Sequence, residues 1–347
     1  MGREASIVNC NERYYRKVMG SIGLTMLLFY GLINLCGIAV MLLDPLLLFL
    51  NVPEVPANIF YELFYGLGYT LSFMLPVLLL RYLLNKSSYS YIHMRVSGGF
   101  SLWSVLAFFA GIVIIYSASY INMGMVSIFD YSSFSSDFFG EGVTQATQPY
   151  EIVLQFIVIC VVPGFCEEFL FRGAILTNCL PFGRANAIMI SAFLFAMMHQ
   201  NPEQLFYTFV AGIFLGLLYE KTGSIWPGTI LHIINNFSSV MQATVFEKLG
   251  YGINGGLWST VFEIVLFSLG VVALSILLVR FFSRKNDLSD GIFERVLSAS
   301  DGYTAYPIAP KRAISLFLTP SMIIFLILSI LQMIVLIGMA VLHGMLA

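Results

Sequence analysis

Residues 161–172 read VVPGFCEEFLFR and continue an apolar run that begins near Ile152. Glu167 and Glu168 therefore stand side by side in a segment that suits the interior of a lipid bilayer. A charge near the bilayer centre costs about 2.5–3.5 kcal/mol on insertion scales, and ionisable groups kept there mark functional sites. His199 and His232, two of only 4 histidines in the chain, fall in later apolar segments.

Composition fixes the class of protein. Of the 347 residues 59% are hydrophobic and 10% charged, against about 25% charged in soluble domains. Mean hydropathy is +0.87, and apolar stretches long enough to span a bilayer recur. The chain reads as an all-α, polytopic transmembrane helix bundle. Its place is the cell membrane, or the endoplasmic reticulum membrane in a eukaryote. Cys10, Cys36, Cys160, Cys166 and Cys179 form no CxxC, so neither a disulfide framework nor a zinc–thiolate site is indicated. No basic cluster suits nucleic acid. The first apolar stretch, Val18–Leu43, is too long for a cleaved signal and reads as a first span or signal anchor.

Hydropathy and helix breakers predict nine spans, with eight as the alternative: about 18–43, 59–84, 100–124, 150–179, 185–199, 203–220, 225–246, 257–281 and 318–345. Basic residues alternate with base-free connections along this series. Arg3, Arg13, Arg16 and Lys17 precede the first span, which predicts a cytoplasmic N-terminus and an external C-terminus. Three regions follow. Residues 1–149 hold three spans and an extracytoplasmic loop, 150–246 a helical core with the polar groups, and 247–347 two spans with a cytoplasmic connecting segment. No inverted repeat of the kind common in transporters is visible.

On a helix Glu168 and Arg172 are i and i+4 and share a face. They read as an ion pair that leaves Glu167, about 100° around the helix, as a proton acceptor. Counted from the turn near Pro181-Phe182-Gly183, Glu167 and His199 lie at similar depth, roughly 22–26 Å along antiparallel helices. His232, counted from Gly223, is shallower unless its span tilts or starts within the membrane. His232 and Asn236 again share a face, with Asn235 adjacent. An imidazole and a carboxamide can donate to an oxygen that becomes negative. The set fits attack of water on a peptide carbonyl, with water activated by the glutamate or by a divalent ion. Glu167, His199 and His232 would be the ligands of such an ion, zinc above all.

The plainer readings are helix-bridging for Asn235, a structural role for the Glu168–Arg172 pair, small buried thiols for Cys160 and Cys166, and packing or a proton relay for Glu263. His93 reads as a solvated loop residue and His343 as an interface or core residue. There is no HExxH, no GxSG and no pair of intramembrane aspartates. A proton-coupled transporter and a non-enzymatic membrane immunity or scaffold protein are the competing functions.

Three ordered motifs, Glu167-Glu168-Phe-Leu-Phe-Arg172, Phe195-Ala-Met-Met-His199 and His232-Ile-Ile-Asn-Asn236, resemble the CPBP family of intramembrane proteases. That family includes the type II CAAX prenyl endopeptidases and the bacterial Abi, or bacteriocin-immunity, relatives. The resemblance covers about residues 150–240. It implies that Glu167 and His199 activate water, that His232 and Asn236 form the oxyanion site, and that Arg172 positions substrate or supports the glutamates. The implied partner is a membrane-associated protein or peptide. In members like the eukaryotic enzyme it is prenylated and enters a cavity open to the cytosol. Such proteins have been described both as metalloproteases and as metal-independent glutamate proteases.

Overall fold

A computed structural model describes residues 2–84, 102–127, 149–240, 252–283, 308 and 310–346, every element of which is helical. The helices are α1 (Gly2–Phe49), α2 (Glu54–Leu83), α3 (Leu102–Val126), α4 (Tyr150–Phe182), α5 (Arg184–Met198), α6 (Pro202–Thr222), α7 (Trp226–Val240), α8 (Gly252–Ser283), α9 (Pro310–Phe317) and α10 (Pro320–Leu346). His93 and most of the two long connections lie outside the described residues.

Among the described residues seven helices are long and apolar enough to cross a membrane: α1, α2, α3, α4, α6, α8 and α10. The protein is a multi-pass membrane protein. The expected spans 185–199 and 225–246 correspond to α5 and α7, each 15 residues. Among the described residues α5, at about 22 Å, falls short of a hydrocarbon core of about 30 Å, while α7 is described only as far as Val240.

Local chemistry sets the turns. Gly183 (φ 113°) and Gly223 (φ 64°) end α4 and α6 in conformations that a Cβ disfavours. The Gly223 N–H closes α6 on the Tyr219 carbonyl at 2.8 Å. Asn201 begins α6 as an N-cap, its Oδ1 accepting from the Glu203 N–H at 2.9 Å, with Pro202 at the first helical position. Thr319 and Pro320 open α10 in the same fashion.

α4 is the axis of the bundle: 44% of its most apolar window is buried inside the protein, against 11% for α8. α2 lines one side of α4, α7 runs antiparallel along another, and α5 folds back on its second half. α1 packs on α2 and runs parallel to α10, while α3 joins α8 to α6. Large apolar side chains such as Met41, Ile264, Val272, Val279 and Ile334 stand exposed on the outer helices, as a lipid-facing surface requires.

One contact controls how α5 meets α6. A Cβ on Gly212 would lie 2.8 Å from the Ala192 Cα, a backbone atom that cannot step aside. Gly212→Ala should therefore destabilise the protein by about 1–3 kcal/mol through overpacking, measured by denaturant unfolding in detergent. Gly124→Ala, with nothing within 4 Å of its added carbon, is the neutral reference.

Candidate active site

α4 is not uniform. Two π-helical stretches, Phe156–Val161 and Phe169–Leu176, flank a single α-helical segment, Val162–Glu168, that carries both glutamates. A π turn holds one residue more than an α turn and leaves carbonyls poorly served, which is why such bulges gather at functional sites. Here side chains of other residues serve them. The Asn236 amide donates to the Ile159 carbonyl at 3.3 Å, Ser191 Oγ to Phe171 at 3.0 Å, and Thr177 Oγ1 to Arg172 at 2.9 Å. The helix that presents the glutamates is thereby pinned to α5 and α7.

Arg172 and Glu168 form the expected ion pair, Nη1 to Oε1 at 2.6 Å with both residues wholly buried. Arg172 Nη2 also donates to the Gly212 carbonyl at 3.2 Å, and its guanidinium lies 4.4 Å above the Phe195 ring. Glu168 does more than neutralise Arg172. Its Oε1 accepts from His232 Nδ1 at 3.3 Å, so Arg172, Glu168 and His232 form one chain of charge-assisted contacts. With a carboxylate as acceptor the proton must sit on Nδ1, which turns His232 Nε2 away from Glu168.

Glu167 is held differently. Tyr69 of α2 donates its hydroxyl to Glu167 Oε1 at 2.5 Å. The second oxygen, Oε2, has no hydrogen-bond partner and lies 3.7 Å from His232 Nε2. His199, at the end of α5, places its Nδ1 2.8 Å from the Phe195 carbonyl. A carbonyl can only accept, so Nδ1 carries the proton and neutral His199 keeps a lone pair on Nε2.

Glu167, His199, His232, Asn235 and Asn236 all line one cavity of about 450 Å³; Glu168 and Arg172 stand behind its wall. The expected shallowness of His232 does not arise, because α7 starts deep. The Trp226 ring lies 5.9 Å from Phe165, and Gly228 faces Glu168 Oε2 so closely that a Cβ would come within 3.0 Å. Glu263 lies elsewhere, in a smaller pocket between α3 and α8 with Tyr116 and Tyr120. His343 lies on α10.

Sequence reasoning missed Tyr69 and Phe195 as members of the site. Tyr61, Tyr65 and Tyr69 repeat at i, i+4 and i+8 on an otherwise apolar helix, a polar stripe that could have pointed to a buried acceptor. Phe195 serves three partners at once: its ring contacts His199 and His232 edge-on, with centroids 5.0 and 5.9 Å apart, and lies under Arg172.

Among the described residues no three His, Cys, Asp or Glu side chains are disposed to hold a metal ion. The expected ligand set Glu167, His199 and His232 shares the cavity without forming a metal cradle, and Tyr69 occupies one Glu167 oxygen. The chemistry this arrangement supports is that of the side chains themselves.

Glu168→Gln strands a buried guanidinium and should destabilise the protein by about 3–5 kcal/mol. Joining it to Arg172→Gln should recover part of that loss. Unfolding midpoints of the two variants in detergent check the prediction, and a double variant no more stable than the single one contradicts it.

The chain matches no curated protein and no solved structure. Residues 149–238 match the family described as type II CAAX prenyl endopeptidase Rce1-like. The match runs from the start of α4 into α7 and holds Glu167, His199, His232, Asn235 and Asn236, all of which line the cavity. Over residues 149–238, and there alone, the chain is similar to the Rce1-like type II CAAX prenyl endopeptidases.

Proposed function

We propose that the protein is an intramembrane endopeptidase that hydrolyses a peptide bond of a membrane-associated protein or peptide. The observation that carries this reading is the carboxylate of Glu167, which lines the cavity, anchored through Oε1 by Tyr69 while Oε2 lies unpartnered beside His232. A carboxylate so held is a preorganised proton acceptor.

Water placed between Glu167 Oε2 and His199 Nε2 gives a proton to Glu167 as its oxygen bonds to the scissile carbonyl carbon. The carbonyl π electrons move onto oxygen, which Asn236 and His232 stabilise by donation. Glu167 then returns the proton to the departing amine as the C–N bond breaks. His232 has its Nδ1 proton committed to Glu168, so it donates from Nε2 as the imidazolium. Glu167 and Glu168 are the counter-charges for that state. Asn236 is oriented by its own bond to Ile159, and Asn235 supports it by donating to Asn236 Oδ1 at 3.4 Å. Residues 150–246 form the catalytic unit in this reading. Residues 1–149 contribute walls through Phe29, Tyr69 and Ile115, and of residues 247–347 the described helices α8 and α10 pack on α3 and α1.

Charge distribution orients the bundle. Successive helices reverse direction, so the start of α1, the end of α2, the α4–α5 turn, the end of α6 and α9 gather at one end. Tyr15 packs on Phe182 there at 4.8 Å, Arg184 pairs with Glu220 at 3.1 Å and Arg312 with Glu12 at 2.9 Å. Of the 17 Lys and Arg residues, only Arg172 and Lys248 belong neither to this end nor to the sequence joining helices across it. By the positive-inside rule this end is cytoplasmic, with the start of α1 inside and nine helical passages counting α5 and α7.

Glu167→Gln should lower peptide cleavage about a hundred- to ten-thousandfold with unchanged expression and melting. Asn236→Ala should lower it about a hundred- to a thousandfold. Both are measured by mass spectrometry of products from a farnesylated CAAX-type peptide and its unprenylated counterpart in proteoliposomes. Undiminished cleavage by Glu167→Gln would refute the mechanism.

A further inference from the structure

The cavity is lopsided along the membrane normal. Measured from Glu167 and His232, it continues toward the base-poor end as far as Ile159 on α4 and Val240 on α7. Each lies eight residues away, about 12 Å along its helix. In the opposite direction the lining ends at Phe73, Phe195 and Leu215, the last level with Glu168 through Gly228. Phe73 and Phe195 are one turn, about 6 Å, from Tyr69 and His199.

The two ends of the site also differ in what closes them. On the base-rich side the hydrophobic core continues: Leu176, Cys179, Phe182, Tyr219 and Ile225 are all buried and packed in one cluster. Tyr15 seals this cluster with its ring against Phe182. On the base-poor side α5 has already ended, since His199 caps it at the depth of the glutamates. Gln204 and Tyr65 face the space beyond that turn. Polar groups reappear early on this side. Glu62 is seven residues, about 10 Å, from Tyr69 along α2, and Arg81 is twelve residues, about 18 Å, the other way. Glu151, accepting from Asn58 at 3.0 Å and Tyr150 at 3.1 Å, continues the polar boundary on α4.

We infer that the active-site cavity opens toward the extracytoplasmic leaflet, and that the substrate is a membrane-embedded peptide whose scissile bond lies in that half of the bilayer. The inference deepens the protease reading and rests on it for the word substrate. The direction of opening rests only on the cavity, the core and the distribution of basic residues. It parts from the cytosolic opening that the family resemblance implies, and it selects exported or membrane-inserted peptides over chains delivered from the cytoplasm.

Thiol accessibility in intact cells tests it. Cys10 is the exposed native cysteine, near the base-rich end, while Cys36, Cys160, Cys166 and Cys179 are buried. A membrane-impermeant maleimide should leave Cys10 unlabelled in intact cells and label it after permeabilisation. In a Cys10→Ser background, Gln204→Cys and Ile33→Cys should be labelled in intact cells. Labelling of these two only after permeabilisation, or under neither condition, overturns the inference, as does labelling of Cys10 from outside. A palmitoylated quenched-fluorescent peptide added to sealed vesicles supplies the second arm. Cleavage at least tenfold faster in right-side-out than in inverted vesicles is expected, and the reverse ratio overturns the proposal. Absence of cleavage from both sides, with the labelling pattern as expected, overturns the protease reading and leaves the orientation standing.

Discussion

The structure depends on keeping one guanidinium ionised with no access to water. Arg172 has zero exposure, and a lone buried charge of this size carries a penalty of several kcal/mol. Each neighbour answers that requirement. Glu168 supplies the counter-charge, the Gly212 carbonyl a second acceptor, and the Phe195 ring an electron-rich face. For the carbonyl to come within reach, α6 must press against α5, which is why position 212 has no side chain. A structural ion pair thus dictates the spacing of three helices, and the cavity is what that spacing leaves open.

Because Glu168 accepts from both Arg172 and His232, the pair is also the means of orienting an imidazole. The proton on His232 Nδ1 is fixed by a carboxylate that is itself fixed by a guanidinium, and His232 Nε2 consequently faces Glu167. A view of Glu168 as merely structural separates two roles that one oxygen performs together. The π-helical stretches on either side extend this logic to the backbone. They loosen the ladder of α4, and the side chains that repair it, from Asn236 and Ser191, belong to helices that also frame the site. Backbone irregularity at membrane depth persists where protein groups satisfy it.

Much of this was legible in the sequence, and the reason is physical. Ionisable and polar groups in an apolar run are costly enough that Glu167, Glu168, Arg172, His199, His232 and Asn236 stand out unaided, and helical periodicity pairs Glu168 with Arg172. Depth was harder. Counting residues from a turn assumes that each helix starts at the membrane surface, and α7 starts beside Phe165 instead. Among the described residues seven helices are long and apolar enough to span, and α5, with 15 residues, is the apolar segment that is too short. Tyr69 stayed hidden because its partner is 98 positions away on another helix. A tyrosine among apolar residues looks like any interfacial aromatic until α2 is placed against α4.

Tyr69 also explains how two adjacent glutamates acquire different characters without differing in depth. Both are buried, at 4% and 0% exposure, so desolvation acts on them alike. What separates them is the donor each meets. Glu168 faces a cation, which binds its charge permanently into the fold. Glu167 meets a neutral hydroxyl, which fixes the direction of its carboxyl group and leaves Oε2 uncommitted. An arginine in place of that hydroxyl would make Glu167 a second structural carboxylate. Removing the donor altogether would free the carboxyl group to turn away from His232. A neutral donor on one oxygen satisfies both demands: the group is aimed, and it can still take up a proton.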